Sequence, residues 1–312
     1  FEAGLFEDQL GLDVTYYRQK TTDALLEKPV APSTGFGGAE QFVNVAEVEN
    51  WGVEGSLQST VLNTEQLGLD LGASLTYNEN KVTDLGDRPP ILVGGFGTVW
   101  IREGYPIGGL FSREVVEAEE TEPGSGDFTS IRCAGGDGES VPCDGAPLQY
   151  QGPPGPRWTG GLDVTTRFFN QLRLFASFNF HLDQRQFSIT TFGRDAVFRD
   201  SELTNKGLRT PEQRAEEALG INGQWIEQQG YVGFRELSLS WDVPQDMSAR
   251  FVPGGPGVRL QVAMQNISYP WIHDDFRDLD PAVNRSGNNF SHVQQTMMPQ
   301  PTSLTGSLTL TF

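Results

Sequence analysis

The 312 residues carry 41 acidic side chains against 22 basic ones, a formal net charge of −19, which excludes the clustered Lys and Arg that a nucleic-acid backbone requires. Mean hydropathy is −0.37 and no run of about 18 uncharged apolar residues occurs, so the sequence holds no helical membrane span. A transmembrane strand needs only about 9–11 residues, half of them apolar, and is not excluded. The 37 Gly and 20 Phe, with abundant Ser and Thr, favour strands and turns. The chain opens on Phe1 with no charged n-region and apolar h-region before its first strand. It reads as a piece of a longer protein whose leader would lie upstream.

Residues 1–6 read as the end of a strand, followed by the polar turn Glu7-Asp8-Gln9. Leu10, Leu12, Val14 and Tyr16 then alternate with Gly11, Asp13, Thr15 and Tyr17, which makes a hairpin. Residues 20–40, with Pro29, Pro32, Gly35, Gly37 and Gly38, read as a loop. The chain is extended again over 41–60, turns at Asn63–Gln66, and alternates from Leu67 to Tyr77 over a length that spans a tilted bilayer crossing. Residues 81–156 are expected to be irregular, with an added hairpin within Val99–Phe111. The clearest hairpin is 157–168 with 172–182, joined at Phe169-Asn170-Gln171. On its second strand Arg173, Phe175, Ser177, Asn179 and His181 share one face, which a dry core would not tolerate and a wet lumen would. Residues 184–230 form another polar segment holding a short capped helix over Thr210–Leu219. Alternation resumes over 236–243 and 258–265, a loop covers 269–301, and the chain closes on a strand from Leu304 to Phe312.

Short and long connections alternate strictly along this series. That asymmetry is the mark of an outer-membrane barrel, with short turns on the periplasmic side and long loops outside. The expected fold is therefore all-β, a portion of an antiparallel transmembrane β-barrel with about nine strands, or about eleven with the extra hairpin.

Few residues suggest chemistry. His181, His273 and His292 are scattered, and neither a Gly-x-Ser-x-Gly elbow nor a phosphate loop occurs, so no catalytic residue is assigned. Cys133 and Cys143, the only two cysteines, sit in a Gly-rich stretch; a disulfide, two free thiols and a metal site are the options, and the disulfide fits an oxidising compartment. No histidine is near them in sequence to complete a metal set. The acidic run Glu114–Asp127 reads as a solvated loop or an ion patch. The stretch His273–Asp280 is acidic but lacks the Asp-x-Asp-x-Asp-Gly spacing of a calcium loop. Beside it, Tyr269, Trp271 and Phe276 are candidates for stacking on a ligand such as a sugar ring, or for the membrane interface. No cofactor is expected.

Several stretches, in order, resemble the barrel of SusC/RagA-type TonB-dependent outer-membrane receptors: Leu12–Asp23, Asn44–Glu54, Arg102–Gly108, Pro156–Gly161, Phe234–Trp241 and Leu279–Asn284. Residues 308–312, with Leu308, Leu310 and Phe312 on one face, resemble the aromatic-ended signal that such barrels present to the barrel-assembly machinery. The resemblance covers nearly the whole chain. It implies a barrel of about 22 strands with a plugged lumen, of which residues 1–312 would be the C-terminal portion, lacking the plug and the first strands. It also implies the outer membrane of a Gram-negative bacterium as location, import of a nutrient such as a glycan or peptide, energisation by the TonB complex through the plug, and a SusD-like lipoprotein partner. Two departures stand out. Cys133 and Cys143 occupy a region that is commonly Asp-rich in the family, and Gln300-Pro301-Thr302-Ser303 replaces the usual Pro-Arg before the last strand. The reading from another class is a surface-exposed β protein without transport, structural or adhesive.

Overall fold

The computed structural model describes residues 1–7, 9–30, 33, 35, 40–86, 88–251, 257–276, 279–282, 285–286, 292–294 and 298–311. The period-two stretches become nine antiparallel strands, each paired with its neighbour in sequence: β1 (Glu2–Leu5), β2 (Leu10–Pro29), β3 (Glu40–Asn63), β4 (Leu67–Asp84), β5 (Trp158–Phe168), β6 (Leu172–Ser188), β7 (Ile226–Val243), β8 (Gly257–Ile272) and β9 (Ser303–Thr311). Two short strands, Arg285–Ser286 and His292–Gln294, join this sheet at the end of β6, where Phe187 aligns in parallel with Val293. The sheet is an open section of wall, with β1 and β9 at its two ends.

Register explains why one face is apolar throughout. Leu162 on β5 stands between Ala73 of β4 and Phe178 of β6; Leu174 stands beside Leu239, Leu239 beside Val262, and Leu260 beside Leu308. Leu162, Leu174, Leu239, Leu260, Val262 and Leu308 are exposed, with Ala73 and Phe178 half-buried among them; Leu304, at 74% exposure, is the extreme of this band. Such a band is the lipid-facing surface of a barrel. Aromatic rings border it at the long-loop side, where Trp51, Tyr77 and Trp158 run in a row with ring centroids 5.3 and 4.7 Å apart. Beyond that row on the same face lie the ion pairs Arg18–Glu49 and Lys20–Glu47, charges that belong in water or headgroups rather than hydrocarbon. The opposite face is polar. Arg167 and Asp70 pair at 3.3 Å, and Arg259 meets Asp242 with two bonds of 2.5 and 3.0 Å.

One glycine makes the wall close-packed. A Cβ at Gly160 would lie 2.3 Å from the Ser74 carbonyl oxygen and 2.6 Å from the Phe180 ring, so only hydrogen lets that ring lie across the strand.

Several expectations for the connections change. Of residues 20–40, read as a loop, 20–29 are strand, because β2 runs on to Pro29, and β3 begins at Glu40. Residues 81–156 are not irregular: they fold into a four-stranded sheet (Ile91–Gly94, Val99–Ile101, Gly109–Ser112, Gln149–Gly152) and a three-stranded one (Val115–Glu120, Phe128–Ala134, Ser140–Pro142). The hairpin expected within Val99–Phe111 exists, but in the four-stranded sheet rather than in the wall. The acidic run is only partly a loop: Val115–Glu120 is a strand of the second sheet, and residues 121–127 turn the chain back into its partner Phe128–Ala134. The connection after Val243, expected to be a plain turn, carries a helix over Gln245–Phe251. The helix expected near 210–219 is present over Pro211–Ala218, with Thr210 and Gln213 forming a capping box.

Among the described residues, the three buried apolar clusters lie at the long-loop end. One joins Ala46 and Val82 to Ile91 and Ile101, a second joins Val99 and Leu110 to Phe187, Trp225 and Ile226, and a third surrounds Cys133 and Cys143 with Val115, Ala215 and Ile221. Among the described residues, the middle of the wall thus contributes no buried apolar cluster, while its long-loop end is roofed by packed protein.

Candidate functional site

The polar inner face of β6, β7 and β8 leads toward that roof as a column of paired side chains. Asn179 accepts from Arg235 Nε at 2.5 Å, and the Arg235 guanidinium carbon sits 5.3 and 5.1 Å from the Tyr231 and Tyr269 ring centroids. His181 and Tyr231 face each other with centroids 5.0 Å apart. The Tyr269 hydroxyl donates to Asp280 Oδ1 at 2.6 Å, and Asp280 also accepts the backbone amides of Ala282 and Gln300. Two irregularities aim these residues. Arg235 falls where the β6–β7 register shifts, and Asp183, with φ 58°, marks a second shift beyond His181; bulges re-aim side chains in this way. Past the second shift, Gln184 donates to Gln229 at 2.7 Å, and Gln186 aligns with Glu227.

The column ends in a cleft of about 540 Å³ between residues 191–213, the start of β7 and the turn Asp274–Phe276. Its residues come from three distant segments that the antiparallel meander brings together. Asp195, 5% exposed, receives Trp225 Nε1 at 3.3 Å and lies 3.4 Å from Arg209, both through Oδ2; Oδ1 has no partner. Arg209 also bonds Glu217. Glu227, 8% exposed, has an unpartnered Oε2. It lies well short of Phe234, where the lipid-facing part of β7 begins, and burial pushes its carboxyl up to about 8, with the nearby charges of Asp275 and Asp195 adding. At the rim, Asp275 Oδ2 accepts the Gln228 amide at 3.2 Å. Among the described residues no group of three or more His, Cys, Asp or Glu is placed to hold a metal ion.

The roof is clamped by charge. Arg214 of the helix Pro211–Ala218 grips Glu120 with two bonds of 2.6 and 2.7 Å, and Glu120 also accepts the amides of Gly124 and Gly126. The guanidinium and those amides hold the Glu120 carboxyl down to about 2. On the same helix, Glu216 accepts the Val115 amide at 3.3 Å and the Gln224 amide at 3.1 Å, while burial pushes its carboxyl up to about 7. Cys133 and Cys143 are joined as a disulfide with their Cα atoms 4.9 Å apart, tying the strand Phe128–Ala134 to the turn Cys143–Gly145.

The other residues singled out from sequence are placed as follows. Tyr269 and Trp271 lie on β8 rather than in a loop. Tyr269 belongs to the polar column, whereas Trp271 is 44% exposed and pairs in register with Val232. Phe276 is fully buried, with no ring face open to a ligand. Leu308 and Leu310 lie on the exposed apolar face of β9, and Phe312 is outside the described residues. Asp195, Arg209, Glu227 and Arg235 were not singled out from sequence. For Glu227 a signal existed, since the strand alternation extends back through Ile226-Glu227-Gln228-Gln229.

The fold has close counterparts. "Structure of the RagAB peptide importer in the 'closed-closed' state" superposes with a TM-score of 0.74 at 20% identity, and "Structure of the RagAB peptide transporter" with 0.75 at 18%; each covers 100% of this chain and 34% of that one. In sequence, TonB-dependent receptor P3 of Formosa agariphila is 24% identical over 317 residues, 92% of this chain and 30% of P3. TonB-dependent receptor P26 of the same organism is 25% identical over 345 residues, 100% of this chain and 34% of P26. The chain thus spans about a third of the length of these relatives. Residues 1–267 match the family described as "TonB dependent receptor-like, beta-barrel". With a lipid-type belt on one face, a polar column on the other and this match over most of its length, the chain belongs to the TonB-dependent receptor β-barrel family.

Proposed function

We propose that residues 1–312 are the C-terminal wall of an outer-membrane transporter of the SusC/RagA type, and that the cleft at the long-loop end helps receive its solute. The observation that carries this reading is the two-faced wall: an unbroken apolar belt outside, and inside a polar column rising from Arg235 to a buried cleft under a roof of long loops. A structural barrel needs the belt but gains nothing from burying Asp195 and Glu227 beneath such a roof. In this reading the long loops face outward from a Gram-negative cell and the short turns face the periplasm. The N-terminal part of the receptor contributes the plug and the remaining strands, and the plug engages the TonB complex. A SusD-like lipoprotein covers the long-loop end, in keeping with the likeness to RagAB, and a peptide or glycan is the solute class. The barrel-assembly machinery reads the terminal strand through Leu308, Leu310 and Phe312.

The test is uptake. A strain deleted for the receptor should lose growth on one class of peptide or glycan as limiting nutrient, and the intact gene should restore it. A receptor that reaches the outer membrane yet supports uptake of neither class would favour the non-transporting surface protein instead.

A further inference from the structure

Resting on the transporter reading for the role of the cleft, we infer that it binds a ligand bearing an organic cation, a primary ammonium or guanidinium group, against Asp195 and Glu227. Five carboxylates line the cleft, those of Asp195, Glu202, Glu227, Asp274 and Asp275, against two guanidinium groups, Arg194 and Arg209. Acidic lining alone would mean little. The pointed observation is that two of these carboxylates are more than nine-tenths buried and each keeps one oxygen without any donor: Oδ1 of Asp195 and Oε2 of Glu227. A buried carboxylate oxygen without a donor is costly to leave, and an N–H-bearing cation is the group that satisfies it most strongly.

The protein's own cations do not reach these oxygens: Arg209 lies against Asp195 through Oδ2, where its Nη2 at 3.4 Å makes no hydrogen bond, and bonds Glu217, while Arg199 lies 3.5 Å from Glu217. The Ser188 and Thr191 hydroxyls lie near the Glu227 side chain, yet its Oε2 has no hydrogen-bond partner. A divalent metal is disfavoured because no three acidic, histidine or cysteine side chains converge among the described residues. A volume of about 540 Å³ suits a small organic group or the side chain of a larger solute.

The geometry also sets a proton linkage. Glu227 faces the hydroxyls of Ser188 and Thr191 and the carboxylates of Asp195 and Asp275, and Arg194 lines the same cleft. Its carboxyl therefore ionises late, and a cation favours the ionised form. Binding should tighten as pH rises from about 6.5 to 8.5 and release a proton on the lower side of that range.

Titration calorimetry on the receptor in detergent tests this, with arginine amide as the probe, acetyl-alanine amide as the uncharged control and acetate as the anionic one. Arginine amide should bind and both controls should not. Glu227→Gln should weaken binding about tenfold or more and flatten the pH dependence. Asp275→Asn, at the accessible rim, should weaken it less and keep the pH dependence; its melting temperature guards against misfolding as the cause. Absence of arginine-amide binding, preference for acetate, or unchanged binding in both variants would overturn the inference. Binding without any uptake would sink the transporter reading alone, whereas uptake without binding would sink the cationic cleft alone.

Discussion

A Cβ at position 160 would meet the Ser74 carbonyl oxygen and the Phe180 ring at once, so the smallest substitution there has to move backbone. Gly160→Val should destabilise the wall by about 1–3 kcal/mol, read as earlier unfolding of the receptor in a urea series. Unchanged unfolding would mean that Phe180 simply swings away. Glu216 shows the opposite case, a residue whose cost is electrostatic. Because its carboxyl is raised to about 7 in the folded protein against an ordinary 4.5, the folded state holds the proton more tightly. Stability from this group is therefore complete below about pH 4.5, declines as pH rises, and is gone above about 7. Exchange of the Val115 amide should accordingly quicken between pH 4.5 and 7 beyond the intrinsic trend. In Glu216→Gln that excess should vanish; if it persists, another group drives it.

At the scale of elements, the three-stranded sheet of the roof is held on the helix Pro211–Ala218 by Glu120 and Glu216 and is tied within itself by one disulfide. Cys133→Ser with Cys143→Ser should loosen the three-stranded sheet by roughly 2–3 kcal/mol, the entropy a short loop regains. The effect should stay local, visible as faster amide exchange over 115–142 with none in β5 or β6. Slower folding of the whole wall would argue against a separate unit. The wall strands obey a different rule. Leu239→Arg puts a charge in the lipid-facing band and should cost about 2–4 kcal/mol, while Ser240→Arg, on the polar face next along β7, should cost far less.

These elements also show what a sequence can reveal. Leu162, Leu174, Leu239 and Leu260 alternate because lipid on one side and water on the other impose period two, so strand faces and pairing order were legible. Beyond the belt that constraint ends. The extension of β2 to Pro29 was hidden by Pro29 itself and by the proline and glycines that follow it in sequence, and strands as short as Val99–Ile101 or Ser140–Pro142 are too brief for a period to register. The cleft was illegible for a different reason: Asp195, Glu227 and Asp275 sit on three segments, and only the meander makes them neighbours. Glu120 looked like one acid among many until Arg214, far along the chain, gave it a partner.

For the whole molecule, an open wall has two unpaired edges, β1 and β9, and an uncovered apolar face. Produced alone, the 312 residues should self-associate through these features. Size-exclusion chromatography in detergent should give large or mixed oligomers, and a compact monomer would overturn the expectation. The ribbon of β2 and β3, with 20 and 24 residues, carries a further consequence. At about 3.3 Å per residue and a tilt near 40°, it reaches on the order of 50 Å, against a hydrocarbon layer of about 30 Å. It therefore stands as a mast clear of the bilayer, with its ion pairs Arg18–Glu49 and Lys20–Glu47 at the height where the lipid gives out. In the proposed orientation, with the long loops outward, large objects approaching the cell would touch this mast before any lipid. A cysteine placed at Thr21 should be labelled on intact cells by a bulky impermeant maleimide, and one at Val14 should stay silent.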